Sequence, residues 1–283
     1  MKINNYDCFI VDASNMAYRC WWGVKDLKYN NIHTGLEFGF IRQIISYIKN
    51  ISPQKIYLAW DGEPLRCKTL LPEYKQGRVK VNSDEPSWGP RLKRLRSVFS
   101  GICNNLYHEH EEADEQIAKF IKLNPNKKCL IISNDKDLHQ FINENVHVEY
   151  SGAIIDNDLC VKIWGFPAYK IPLFKSLDTD KSDNIKGVQR LATKTKIKLV
   201  KMSENINDLI NNFNGDFLTE MEKKKLNDFK QQLLKNYEIV NLLGLNGEYN
   251  LTVPCGNDDE LCNIIKEMNF GSINYDRKFL GRS

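Results

Sequence analysis

The chain has 283 residues, 42% of them hydrophobic and 27% charged, with 16 glycines and 9 prolines, which excludes disordered, low-complexity and collagen-like classes. One large domain or two smaller ones can each bury a substantial core at this length. Lysine and arginine (40) barely exceed aspartate and glutamate (36), for a net charge of +4, so the average charge identifies no partner and only its distribution can.

The first residues are polar where a secretory leader needs an apolar stretch, and no window approaches ~18 uninterrupted apolar residues. The expectation is a cytoplasmic protein that meets no membrane. Its eight cysteines contain no Cys-x-x-Cys pair and read as reduced thiols rather than as disulfides or a structural zinc site.

In chain order, Phe9-Ile10-Val11 is a short apolar run closed by Asp12, and residues 39–48 follow with a helical pattern. Ile56-Tyr57-Leu58-Ala59-Trp60 is a second run, closed by Asp61. From Leu65 to Arg96 nine basic residues stand against three acidic ones. Glu111, Glu112, Asp114 and Glu115 open a helical pattern that continues to Ile121. Cys129-Leu130-Ile131-Ile132 leads through Ser133-Asn134 into Asp135 and Asp137, and Val146–Tyr150 predicts a further strand. Pro167 and Pro172 punctuate a short helical stretch. Beyond about Ser176 the reading is helical throughout, as in residues 226–234, and a soft domain boundary falls there, giving a core over 1–175 and a helical region over 176–283. Asp180 and Asp183 are spaced i,i+3, and from Lys186 to Lys201 six basic residues meet no acidic one.

Apolar, β-branched runs alternating with helical patterns predict an α/β fold with a parallel sheet flanked by helices. In such a sheet the carboxyl ends of the strands open on one edge, where ligands bind, so Asp12, Asp61 and Asp135 converge. Each acid alone has a plain explanation as a turn residue or helix-capping group. Together they do not, because two carboxylates ~4 Å apart repel by ~4 kcal/mol at an effective dielectric of ~20. An all-oxygen donor set calls for a hard divalent ion, Mg²⁺ or Mn²⁺, rather than zinc. His108 and His110, at strand spacing, offer no metal-binding pattern. Carboxylate-held metal beside two cationic stretches is the arrangement expected for phosphodiester hydrolysis.

The segments Val11-Asp12-Ala13-Ser14-Asn15, Trp60-Asp61-Gly62 with Arg66, Leu71–Arg78, Glu112-Ala113-Asp114-Glu115, Ser133–Leu138 and Asp180–Ile185 resemble those of the metal-dependent 5′ nucleases. These are the flap endonucleases, the 5′-nuclease domain of bacterial DNA polymerase I and the phage 5′-exonucleases. The resemblance implies a PIN-like nuclease core with a helical arch over residues 65–97, and a helix-three-turn-helix-like region gripping duplex DNA. It implies two Mg²⁺ ions, with Mn²⁺ able to substitute, surrounded by Asp12, Asp61, Glu112, Asp114, Asp135 and Asp137 and completed by Glu115, Asp180 and Asp183. Lys75 and Arg78 resemble arch residues that approach the scissile phosphate, and Arg66 stands at the arch base. The implied substrate is branched, nicked or flapped DNA, or an RNA primer on DNA. Implied too are a monomeric, stand-alone phage or bacterial enzyme working in the cytoplasm, and a polymerase or single-strand-binding protein as partner.

The sequence departs from the family pattern at three places. Asp114-Glu115 replaces the usual Asp-Asp, leaving Glu115 to reach a metal through water or not at all. Thr179 stands for the glycine before the late acidic pair. After Gly187-Val188 the glycines of the family's hairpin are replaced by Arg190-Leu191-Ala192, which leaves the potassium site in doubt and shifts the duplex grip to Lys194, Lys196 and Lys198 as point charges, with Lys186 and Arg190 as further DNA-binding residues. Trp88 suits two roles, packing against the arch helices or stacking on an unpaired base. The rival readings are a PIN-type ribonuclease and a non-catalytic DNA-binding module.

Overall fold

The computed structural model describes residues 6–24, 26–52, 55–77, 88–273 and 275; Arg78 lies outside them. Strand β1 (Cys8–Asp12) runs directly into helix α1 (Ala13–Gly23), and a two-stranded hairpin, β2 (Lys28–Tyr29) and β3 (Ile32–His33), precedes α2 (Gly35–Ile48). Then come β4 (Ile56–Trp60), α3 (Leu65–Leu70), α4 (Trp88–Ser100), β5 (Asn104–Tyr107), α5 (Ala113–Leu123), β6 (Cys129–Ile132), β7 (Val146–Tyr150) and β8 (Ala153–Ile155). The chain ends with α6 (Asn157–Trp164), α7 (Ile171–Leu177), α8 (Thr193–Lys201), α9 (Ile206–Asn211), α10 (Glu220–Val240), β9 (Leu251–Thr252) and α11 (Asp259–Glu267).

Among the described residues seven strands form one sheet in the order β8-β7-β6-β1-β4-β5-β9. Its middle strands are parallel, and both edge strands, β8 and β9, are antiparallel to their neighbours. Apolar residues line both faces at period two. Phe9, Val11, Leu58 and Ile132 join one core with α1, α2, α4 and α11, while Ile10, Ala59, Leu106 and Ile131 join the other with α5, α7 and α10. Burial on both faces is why these strands read as unbroken apolar runs. The chain steps outward from β1 through β4 to β5 and then returns to the far side of β1 with β6, so the order reverses beside β1. At such a reversal the loops leave the strand ends in opposite directions and open a crevice.

The all-helical reading beyond Ser176 fails at β9. Leu251 and Thr252 pair with Leu106 and Asn105, and Gln116 Oε1 accepts the Asn250 N–H at 2.8 Å. A two-residue strand held by an edge partner and a helix side chain has too few positions to show a period. His108 and His110 also differ from their strand spacing, lying in the turn after β5. All eight cysteines are free thiols, and among the described residues no helix is long and apolar enough to cross a membrane.

Candidate active site at the carboxyl edge of the sheet

Asp12 ends β1 and caps α1, accepting the Asn15 N–H at 3.0 Å and the Ser133 hydroxyl at 2.8 Å. Asp61 follows β4 and accepts the Ala113 N–H at 2.9 Å, which ties it to the start of α5. Glu112 and Asp114 open that helix, and Asp135 follows β6 and caps the short turn that carries Asp137. The result is one cavity of about 530 Å³ lined by Asp12, Asp61, Glu112, Asp114, Asp135 and Lys75. A small crevice continuous with it is bordered by Asp137, Asp183, Tyr74 and Arg66. Five carboxylates from three strand ends and one helix start therefore share a single mouth.

Like charges out of water shift their own protonation. Burial, then Asp61 and Asp135, push Asp12 up to about 7, and burial with Asp135 pushes Asp137 up to about 6. Burial and Glu112 hold Asp114 well above the carboxylate range, and burial raises Glu112 despite the Lys75 ammonium beside it. Asp180 goes the other way, because the Ser182 hydroxyl and Lys175 outweigh its burial.

Two lysines partly neutralise this cluster. Lys75 ion-pairs with Glu112 and Lys175 reaches Asp137 at 2.8 Å and Asp180 at 3.3 Å. Among the described residues no three His, Cys, Asp or Glu side chains close into a cation cage in this arrangement. Asp114 Oδ1 is buried and accepts no hydrogen bond, an orphaned acceptor of the kind that is costly without a partner. All-oxygen donors, mutual repulsion and this orphaned atom fit a hard divalent ion.

The remaining residues singled out in the sequence are less uniformly placed. Glu115 borders neither space; it accepts the Glu112 N–H at 3.0 Å, as in a capping box, and ion-pairs with Arg66. Arg66 also donates to the carbonyls of Glu238 and Ile239, pinning α3 to the end of α10. Asp183 faces the Tyr74 phenol, which lies 3.1 Å from both Asp183 Oδ2 and Glu112 Oε2. Lys75 has φ +59°, a left-handed backbone that costs a non-glycine residue about 1–2 kcal/mol; Lys75 N–H donates to the Asp183 carbonyl at 3.3 Å.

Lys186, Arg190, Lys194 and Lys198 are exposed, and the first two border a groove of about 670 Å³ against Lys225 and Phe229 of α10. Arg190 adopts φ +55°, so the hairpin makes its left-handed turn without glycine. Lys196 departs from the point-charge expectation: it is 6% exposed and its ammonium sits 2.7 Å from Asp178 Oδ1. Its backbone position on the inner face of α8 turns it toward that carboxylate.

Lys175 stands in none of the sequence motifs, and Tyr74 enters them only as a residue of the arch segment Leu71–Arg78. Lys175 did leave a signal, a single charge inside Ile171–Leu177, whose other residues are apolar except Ser176, since a lysine carried into a core is almost always paired.

The profile of the 5′-3′ exonuclease N-terminal resolvase-like domain matches residues 7–165. A 5′-3′ exonuclease of Mycoplasmopsis pulmonis is 28% identical over 240 residues, 82% of this chain and 79% of its own length. One from Aquifex aeolicus is 29% identical over 241 residues, 83% and 81%. The bacteriophage T5 flap endonuclease in complex with DNA and metal ions shares the fold, with TM-score 0.67 at 17% identity over 93% of this chain and 95% of that one.

Proposed function

Because this chain belongs to the 5′-3′ exonuclease family through its resolvase-like domain, we propose that it hydrolyses phosphodiester bonds at 5′ ends, nicks and 5′ flaps of DNA, with Mg²⁺ or Mn²⁺ bound at the carboxylate cavity. The observation that carries this reading is the convergence of Asp12, Asp61, Glu112, Asp114 and Asp135 on one cavity beside Lys75. Two ions would suit the donor set, with Asp12, Asp61, Glu112 and Asp114 to hold one and Asp135, Asp137, Asp180 and Asp183 to hold the other. Such ions, when bound, supply Lewis-acid charge for the attack of water at phosphorus.

The chain's own residues do the rest. Lys75, which ion-pairs with Glu112 in the cavity wall, would place its ammonium on a non-bridging phosphate oxygen, where charge grows during displacement. Arg66 positions rather than reacts, since its guanidinium is committed to Glu115 and two carbonyls. Glu115 acts through Arg66 and the helix start. Lys186, Arg190, Lys194 and Lys198 neutralise phosphates of the duplex beyond the cut. An RNA primer paired to DNA is a second candidate strand, and the setting is the cytoplasm.

The test is incubation of end-labelled 5′-flap, nicked and single-stranded DNA and a matching RNA, with Mg²⁺ or with EDTA. Metal-dependent products from the 5′ end of flapped and nicked DNA are expected. Cleavage of single-stranded RNA alone, or binding without products, would overturn the reading.

A further inference from the structure

The mouth of the carboxylate cavity has an aromatic lip. Tyr18 and Trp88 wall it beside Asp12 and Asp61. One turn further along α1, Trp22 meets Tyr18 edge-on with ring centroids 6.2 Å apart. Both α1 side chains keep half their surface in water, 50% for Tyr18 and 52% for Trp22. Behind them the rings are fixed in place. Trp88 stands edge-on to Tyr18 at 6.2 Å and to the buried Trp21 at 5.8 Å, and Arg91 lies 4.9 Å over the Trp21 ring. Trp88 thus both packs and lines the cavity, so packing and contact with a bound strand are not alternatives for it.

From this geometry we propose that Trp22 is a stacking platform for an unpaired nucleobase of the strand whose phosphate enters the carboxylate cavity. The proposal deepens the nuclease reading and rests on it. A single exposed tryptophan needs no explanation. This one adjoins Tyr18 of the cavity wall, lies about 6 Å along the helix from it, and belongs to a helix with no acidic residue. An indole face accepts any base, so the platform distinguishes unpaired from paired nucleotides without reading sequence. A base inside a duplex stack has both faces covered, so the contact favours an unpaired flap nucleotide. An apolar segment of a protein partner is the competing occupant.

The experiment uses the full chain in EDTA, so that no cleavage intervenes, with 5′-flap duplexes carrying 2-aminopurine at successive flap positions. Stacking on Trp22 quenches the probe at a position near the junction in the wild type. Trp22→Ala should lose that quenching and bind the flap about 5- to 100-fold more weakly, whereas Trp22→Phe should keep most of both. An abasic site at that position should reproduce the loss with unaltered protein, which keeps the test valid even if Trp22→Ala misfolds. Wild-type affinity for intact and abasic flaps alike, or quenching unchanged in Trp22→Ala, would overturn the platform and leave the surface to a protein partner. Indifference to the abasic site in a chain that still cuts flaps with Mg²⁺ sinks only this proposal; a chain that cuts nothing sinks the nuclease reading.

Discussion

The two basic stretches look alike in the sequence and meet opposite fates in the fold. In the first, Arg66 pairs with Glu115, Lys68 with Glu63, Lys75 with Glu112, Arg91 with Glu37 and Arg94 with Glu267, and Arg96 lies on the Tyr107 ring. In the second, Lys186, Arg190, Lys194 and Lys198 are exposed, and among the described residues none of them ion-pairs with a carboxylate; only Lys196 does. A cation already engaged by a carboxylate releases no counterion from DNA, so charge density along a chain overstates the phosphate-binding surface. The first stretch is largely engaged by the protein's own acids, and under the proposed function the second is the part left to face a polyanion.

That division breaks most visibly at the carboxylates. Asp135→Asn or Asp12→Asn should abolish cleavage of a 5′ flap, by well over the roughly 10- to 100-fold that loss of a metal site's outer partners costs, while binding in EDTA through the second stretch persists. Filter binding and single-turnover cleavage on the same preparations decide it; a parallel loss of binding would mean that the acids shape the DNA surface instead. Next in size is Lys75→Ala. If its ammonium serves the reacting phosphate, the single-turnover rate should fall roughly 10²- to 10³-fold with affinity nearly unchanged. An unaltered rate would leave Lys75 as a counterion of Glu112 alone.

How far these roles could be read in advance depends on the range of the physics behind each. The strand ends were legible because burial on both faces writes an apolar run, and the topology then delivers Asp12, Asp61 and Asp135 to one edge whatever the loops do. The fates of Lys75, Lys175 and Lys196 were not, because each is set by contacts to residues distant in sequence or across a turn: Glu112 for the first, Asp137 and Asp180 for the second, Asp178 for the third. Charge counting sees the residue and not its partner. The conformation at Arg190 was not legible either, since a left-handed φ of +55° at a non-glycine residue leaves no mark in the sequence. β9 left no trace because its two residues are ordered by β5.

A smaller effect sharpens the picture of a carboxylate pocket short of cations. Asp12 is pushed up to about 7 and Asp137 to about 6 from an ordinary 3.8. A folded-state value above the unfolded one means that the native protein holds protons the unfolded chain has lost, so without divalent ions stability should fall as pH rises from about 4 to about 7. In EDTA the melting temperature should be higher at pH 5 than at pH 8, Mg²⁺ or Mn²⁺ should recover the loss at pH 8, and Asp12→Asn should flatten part of the slope. A melting temperature that climbs with pH in EDTA would show that the pocket is already neutralised by Lys75 and Lys175.

The finest test sets Lys194 against Lys196, neighbours in sequence on the two sides of the comparison. Log affinity for duplex DNA should fall with log salt by about 0.9 per phosphate contact. Lys194→Ala removes an exposed cation, so the slope should shrink by about that amount with the melting temperature unmoved. Lys196→Ala removes one already bonded to Asp178, so the slope should hold. The protein should instead lose about 1–3 kcal/mol, between an exposed and a buried pair, because Asp178 keeps 43% of its side chain in water. Equal slopes for both variants would mean that Lys196 leaves Asp178 when DNA arrives, and that the second stretch, like the first, is partly held in reserve by the protein's own acids.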